Sequence, residues 1–293
     1  MTSEFLAHRP HPALRGLVAM MVGYRQTGLT PALHRGLPSP HLTLILTLDE
    51  PLELVAHPDP GQPPGSCAAL VGGLHTRPAL IATGTRQAGV QVSLTPAGAR
   101  ALLGVPAGAL RSRDEPLADV LGGPAAELLD RVRGAGSWPA RFAAVDDVLG
   151  RLALRDAPGA APEVTHAWQL TTGSAGRLPV ATVAATVGWS ERHLRQRFTA
   201  EFGLSPKEAA RVVRFDVARR RLGSAVARGS DVDLAGLAAG AGYADQAHLT
   251  REWRELAGLP PRRWLAAEHQ LLRADADDPL RFVQDGPAPV STS

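Results

Sequence analysis

Arg192, Arg195, Gln196 and Thr199 stand at i, i+3, i+4 and i+7, the spacing that gathers side chains on one face of a helix. An arginine fork matches O6 and N7 of guanine, and a glutamine amide matches N6 and N7 of adenine, so such a row can read base edges in a major groove. The opposite face carries Leu194, Phe198 and Phe202 at successive i+4 steps, an apolar stripe suited to a core. Arg197 borders that stripe and suits a structural role equally well. A second stripe, Leu249 with Trp253, leaves Gln246, Ala247, His248, Thr250 and Arg251 outward, a shorter and less charged set in which His248 can instead bond to the preceding turn. Ser190 and Asp245 stand where the two helices would begin. A cap there orients the first backbone N–H groups, which can themselves meet a phosphate.

Two such faces need a scaffold that presents them alike, and the chain repeats one. Val180, Val183, Ala184, Val187, Gly188 and Trp189 correspond to Leu234, Leu237, Ala238, Ala241, Gly242 and Tyr243 at a shift of 54. Ser190, Leu194, Phe198, Gly203, Leu204 and Pro206 correspond to Asp245, Leu249, Trp253, Gly258, Leu259 and Pro261 at 55, with Ala244 inserted in the second turn. Ordered matches that include a turn glycine, a helix cap and a closing Gly-Leu-x-Pro point to two helix-turn-helix units. Small Ala184 and Ala238 allow close helix approach, and Gly188 and Gly242 can take the positive φ that ends a first helix.

At 293 residues the chain has room for about two domains. Its 31 basic residues include a single lysine, Lys207, a bias that limits what arginine content alone can say. Distribution is more informative: residues 1–164 carry 14 basic and 14 acidic side chains, residues 165–269 carry 15 and 10, and residues 270–293 carry 2 and 4. The positive excess falls on the repeat, as phosphate binding requires. One cysteine, Cys67, gives no disulfide framework and reads as a core residue. No run spans a bilayer and no basic-then-apolar leader opens the chain, so the expectation is a cytoplasmic protein without membrane contact.

From Phe5 to Gly122 the pattern is strand-like. Leu42, Leu44, Leu46 and Leu48 alternate with Thr43, Ile45 and Thr47, a second alternation follows at Leu52 and Leu54, and Val90, Val92 and Leu94 oppose Gln91 and Ser93. Ala68–Val71 and Leu80–Ala82 add short apolar runs, and the whole predicts an antiparallel barrel or sandwich. Thr95 caps a helix that opens with Pro96 and stops at Gly104. Ser137-Trp138-Pro139 starts another, whose Phe142, Val145, Val148, Leu149 and Leu152 form one face for packing or for dimerisation. The division that follows is residues 1–156 for sensing and dimerisation, 157–164 as linker, 165–269 for DNA binding, and 270–293 as a disordered, acidic tail.

Gly188-Trp189-Ser190-Glu191-Arg192-His193-Leu194-Arg195-Gln196-Arg197-Phe198, Phe202-Gly203-Leu204-Ser205-Pro206, and Ala241-Gly242-Tyr243-Ala244-Asp245-Gln246-Ala247-His248-Leu249-Thr250-Arg251-Glu252-Trp253 with Gly258-Leu259-Pro260-Pro261 closely resemble the AraC/XylS family of bacterial transcription regulators. The resemblance covers about a third of the chain. It implies an α+β protein: an all-α C-terminal domain with two helix-turn-helix units, and an N-terminal cupin-like β-barrel with helices. It also implies a linker helix, here Pro206 to Leu222, setting both recognition helices in successive major grooves. The family's base-reading positions fall on Arg192, Arg195 and Gln196, then on Ala247, His248 and Arg251, where Ala247 departs from the polar residue common there. Val92-Ser93-Leu94-Thr95-Pro96-Ala97-Gly98, Ala101-Leu102-Leu103-Gly104 and Pro106 look like a variant of the family's sensor.

The reading is therefore a sequence-specific DNA-binding regulator, not an enzyme, with an operator duplex as partner and an effector, a second copy and RNA polymerase as further candidates. No cofactor and no metal is expected, since His34, His41, His57 and His75 lack close ligand spacing. The alternatives are a DNA-binding architectural protein without ligand, a cupin-type enzyme fused to a DNA-binding module, and an alkyl acceptor, for which one cysteine is too few.

Overall fold

The structure, a computed structural model, describes residues 2–156, 158–230, 232–268 and 281–282. The N-terminal half is built of strands β1 (Thr2–His8), β2 (Val18–Thr27), β3 (Ala32–Gly36), β4 (Leu42–Thr47), β5 (Leu52–Ala56), β6 (Gly65–Cys67), β7 (Ala69–Gly72), β8 (Ala79–Thr83), β9 (Arg86–Leu94) and β10 (Asp114–Pro116). The larger sheet runs β10-β7-β4-β9-β2-β1, ending on the two-residue β11 (Arg281–Phe282), and the smaller runs β3-β8-β5-β6. Pairing is antiparallel except for β11, which lies parallel to β1. Apart from β11, the expected disordered tail lies outside the described residues.

The alternation seen in sequence becomes the two sides of the large sheet. Leu42, Leu44 and Leu46 on β4 and Val90, Val92 and Leu94 on β9 are fully buried, each contributing roughly 1.5 to 3 kcal/mol by leaving water. Leu54, Ala79 and Ile81 of the small sheet meet Leu70 of the large one in a separate apolar cluster, with Cys67 packed against it. Helices α1 (Pro96–Gly98), α2 (Leu117–Leu121), α3 (Gly123–Gly134) and α4 (Trp138–Ala153) complete this half. Thr95 caps α1 by accepting from the Gly98 N–H at 3.0 Å, and Gly104 closes the segment at φ +75°, but Ala99–Leu103 winds as a π-helix. Sequence periodicity did not separate that widened turn from ordinary helix.

The face of α4 settles on the chain itself. Trp138, Phe142, Val145, Val148, Leu149 and Leu152 are all buried, and β2 places Gly23 where any Cβ would come within 2.5 Å of the Trp138 ring. His8 of β1 stacks on Phe142 at 4.7 Å and hydrogen-bonds Asp146 at 2.7 Å, so strand and helix are joined by a ring stack and a hydrogen bond together.

The C-terminal half is helical: α5 (Pro162–Gly173), α6 (Val180–Thr186), α7 (Glu191–Phe202), α8 (Pro206–Ala227), α9 (Leu234–Ala241), α10 (Gln246–Ala257) and α11 (Pro261–Ala267). Helix α5 begins inside the stretch read as linker. Helix α8 runs five residues past the expected Leu222; Ser205 starts it with a capping box in which Glu208 answers from the third turn position. Phe215 of α8 packs edge-on against Trp253 of α10 at 5.0 Å, and Trp168 of α5 meets Phe202 of α7 at 4.5 Å. One continuous core runs from the large sheet through these helices.

Candidate nucleic-acid interface

The repeat in sequence is a repeat in hydrogen bonds. After α6, Gly188 N–H donates to Ala185 O (3.1 Å) and Trp189 N–H to Ala184 O (2.9 Å); after α9, Gly242 N–H donates to Ala239 O (3.3 Å) and Tyr243 N–H to Ala238 O (3.0 Å). Gly188 lies at φ +74° and Gly242 at φ +84°, a region that costs any residue with a Cβ. Ser190 Oγ accepts from His193 N–H at 3.2 Å, and Asp245 Oδ1 from His248 N–H at 2.7 Å. Both recognition helices end alike: Gly203 N–H donates to Thr199 O and Gly258 N–H to Arg254 O, each glycine left-handed.

Burial sorts the side chains of α7 as the stripe required. Leu194, Phe198 and Phe202 are buried; Arg192, Arg195 and Gln196 are exposed, and Thr199 is half-buried. Arg192, Arg195 and Gln196 have no side-chain partner among the described residues, so their donors face solvent and are free for a ligand. On α10, Leu249 and Trp253 are buried while Gln246, Ala247 and Arg251 are exposed. Two of its candidates are already engaged. Thr250 Oγ1 donates to Gln246 O at 2.8 Å, and His248 packs edge-on against Tyr243 at 5.2 Å with Nδ1 accepting from Ala244 N–H at 3.4 Å. His193 stands in the same way against Trp189 at 4.7 Å, so an aromatic-histidine contact closes both turns.

The known proteins bear on this geometry. The sequence profile of a helix-turn-helix domain matches residues 183–267, and that of a domain of unknown function, DUF6597, matches residues 6–116. Residues 183–267 therefore form a helix-turn-helix domain of two tandem units joined by one long helix, and the motifs quoted above make that domain similar to the AraC/XylS type. No curated protein sequence matches significantly. Among solved structures, an apo ToxT variant from Vibrio cholerae shares 8% identity over 85% of this chain and 97% of its own, with a TM-score of 0.50. ToxT bound to an unsaturated fatty acid shares 9% over 91% and 96%, at 0.47. The AraC-like transcriptional activator CuxR shares 16% over 78% and 88%, at 0.26. A sheet-rich N-terminal domain followed by a helical domain is the architecture this chain shares with ToxT.

A helix-turn-helix domain is a DNA-binding module, so DNA is the partner that residues 183–267 are built for. What backs its two recognition helices was not foreseen in the sequence. Glu252 on α10, 8% exposed, receives Arg211 Nε of α8 at 2.9 Å, with Arg214 at 3.5 Å and His248 at 3.6 Å; Arg211 also reaches Glu255. Burial, with the negative Glu252 beside it, pushes the Tyr243 hydroxyl well above its ordinary value. On α7 the buried carboxylate is Glu201, and it turns to the other half of the chain: Arg100 of the π-helical turn donates through Nε at 2.9 Å and through Nη2 at 2.6 Å. Arg197 lines, with Arg100, Glu201, Ala160, Ala161 and Val164, a cavity of about 250 Å³ at that junction. The far end of the helical domain is tied down as well, by Glu268, which accepts from Arg35 N–H at 3.0 Å and meets His34 at 2.7 Å. A regular apolar stripe announces a helix face, but a lone buried carboxylate announces nothing until its cation, a hundred residues away, is in place.

Among the described residues no group of three or more His, Cys, Asp or Glu is arranged to hold a metal, and no helix is long and apolar enough to cross a membrane. His57 pairs with Asp114 at 2.8 Å and His34 with Glu268. Cys67 is half-buried, and burial together with Asp114, Asp119 and Glu115 pushes its thiol up, away from the thiolate an alkyl acceptor would need.

Proposed function

We propose that this protein is a sequence-specific transcription regulator of the AraC/XylS type in which α7 and α10 enter successive major grooves and Arg192, Arg195 and Gln196 supply most of the base reading. The observation that carries it is the row of unpartnered Arg192, Arg195 and Gln196 on one exposed face, with the opposite face of the same helix locked into a core. Arg251 and Gln246 add contacts from α10; Thr199, Thr250, His248 and Ala247 lie on the same surface with less to offer a base, and Ser190 and Asp245 place helix N-termini near phosphates.

Residues 1–156 act in this reading as the sensing and dimerising domain, residues 157–164 as linker and residues 165–269 as the DNA-binding domain. A small molecule acting at the half-open hollow of the junction would touch sensor, linker and reading head together; a ligand-free architectural protein is the alternative. No catalytic step is assigned to any residue. A second copy and RNA polymerase complete the partners, and a working site on chromosomal DNA places the protein in the cytoplasm.

Selection from a pool of random duplexes, followed by footprinting of the winners, tests this. Two protected major-groove patches about 10 base pairs apart, one duplex turn or roughly 34 Å, are expected per subunit. Enrichment of no sequence at all would overturn it.

A further inference from the structure

Glu201 lies nine residues beyond Arg192, which at 100° per residue puts it about 180° around α7 from that arginine. It is 8% exposed, and its hydrogen-bond partner is Arg100 of the N-terminal half, which occupies both carboxylate oxygens and reaches the linker through Nη1 to Pro158 O at 3.3 Å. The twin position in the second unit, at the shift of 55, is Leu256, fully enclosed in its own domain. The turn itself therefore has no need of a carboxylate. Here the carboxylate takes both its hydrogen bonds from Arg100 of the other domain rather than from Arg197, one turn earlier on its own helix, and a buried carboxylate left without a partner is costly.

A second contact lies beside the first. The 3-10 turn Ala107–Leu110 packs on the C-terminal end of α7 so closely that a Cβ on Gly108 would stand 2.5 Å from Ala200 O and 3.0 Å from Gly203 N. A Cβ on Gly203 would meet Arg111 Cβ at 2.7 Å, and Arg111 in turn pairs with Glu208 of α8 at 3.5 Å. The twin glycine, Gly258, has only Pro78 Cγ at 3.6 Å.

We infer that Arg100 and Glu201 are positioning residues for base reading: through this pair and the Gly108–Gly203 seat, the N-terminal domain sets the angle at which the first recognition helix meets the groove. The inference rests on α7 being the principal reading helix. Twelve residues of helix span about 18 Å, so a tilt of about 5° at the clamped end moves the reading end by about 1.5 Å. That displacement breaks a bidentate hydrogen bond, whose tolerance is a few tenths of an ångström. The second helix, held by Arg211 and Arg214 of its own domain, has no such lever.

The full chain is compared with R100Q, E201Q and the charge-swapped R100E/E201R. Hydrogen exchange without DNA should quicken about ten-fold in residues 191–203 of both single variants and stay unchanged in residues 246–258. Preference for the selected operator over random duplex should fall about ten-fold with random-DNA affinity retained, and the swap should restore much of both. Unchanged exchange and preference in both single variants would sink the clamp, and R100K, which keeps the charge but not the fork, serves if the swap does not fold: partial retention supports the pair, and a loss equal to R100Q supports its bidentate geometry. Variant R192A leaves the clamp intact and tests the reading beneath it. If R192A loses operator preference while R100Q and E201Q do not, only the clamp is overturned; if none does, the assignment of α7 falls too.

Discussion

The two helix-turn-helix units share a backbone and differ in what stands behind them. Turn glycines, caps and closing glycines superpose in sequence and in hydrogen bonds, yet α7 presents Arg192, Arg195 and Gln196 unpartnered and is held by the other domain, whereas α10 presents Gln246 and Arg251 around the methyl group of Ala247, with His248 engaged by its own turn, and is held by α8. In the proposed reading the first unit reads and is adjusted, and the second holds its place. Duplication supplies two equal frames, and divergence at a few positions, buried Glu201 against buried Leu256 and exposed Arg197 against buried Glu252, decides which frame answers to which part of the protein.

Removing what holds the second unit should give the largest effect. Glu252→Ala removes the largely buried carboxylate that Arg211 and Arg214 share, leaving Arg211 with Glu255 and Arg214 with Gly176 O, and should lower unfolding free energy by about 3 kcal/mol in a denaturant titration. Loss below about 1 kcal/mol would mean that the two units are secured alike by apolar packing.

Next come the turn glycines. Gly242→Val carries both a left-handed φ and a contact of 3.1 Å with the Arg177 side chain, while at Gly188 an added Cβ meets nothing within 4 Å, so strain acts alone. Melting should show a cost of about 2 to 3 kcal/mol for Gly242→Val and about 1 to 2 kcal/mol for Gly188→Val. The reverse order would show that the second turn yields more readily than its packing suggests.

For DNA, Arg192→Ala or Arg195→Ala should weaken the operator complex by about 1 to 2 kcal/mol and random DNA much less, with Gln246→Ala below either. A scan of every operator base pair sharpens the same contrast: penalties should be steeper under α7 than under α10, and the opposite polarity would exchange the roles of the two helices.

The smallest effect concerns the junction. Burial pulls the His41 imidazole below its ordinary value of 6.5; Asp216 of α8 opposes this, and Arg220 and Arg219 add to it. A histidine lowered in the folded state favours the fold fully above its unfolded value, and that contribution is lost as pH falls below about 6.5 toward the folded value. Stability should therefore drop on acidification in this window, by less than about 1 kcal/mol, and His41→Gln should flatten that part of the profile. An unchanged slope in the variant would assign the titration elsewhere.

Much was legible in the chain because local rules wrote it. Gly188 and Gly242, the caps Ser190 and Asp245, and the stripes Leu194–Phe198–Phe202 and Leu249–Trp253 each follow from backbone sterics or helical period, so one strand of text suffices to place them. The alternation of Leu42, Leu44 and Leu46 likewise gave a sheet with one buried side. Tertiary structure alone decided where α4 spends its apolar face, that Ala99–Leu103 widens into a π-helix, and that Thr250 and His248 are engaged by their own helix and turn. It also paired Glu201 with Arg100 and Glu252 with Arg211. Periodicity reports which side of an element leaves water, since that depends only on neighbours a turn away; which distant group completes a buried charge depends on the packing of whole elements, and no spacing along the chain encodes it.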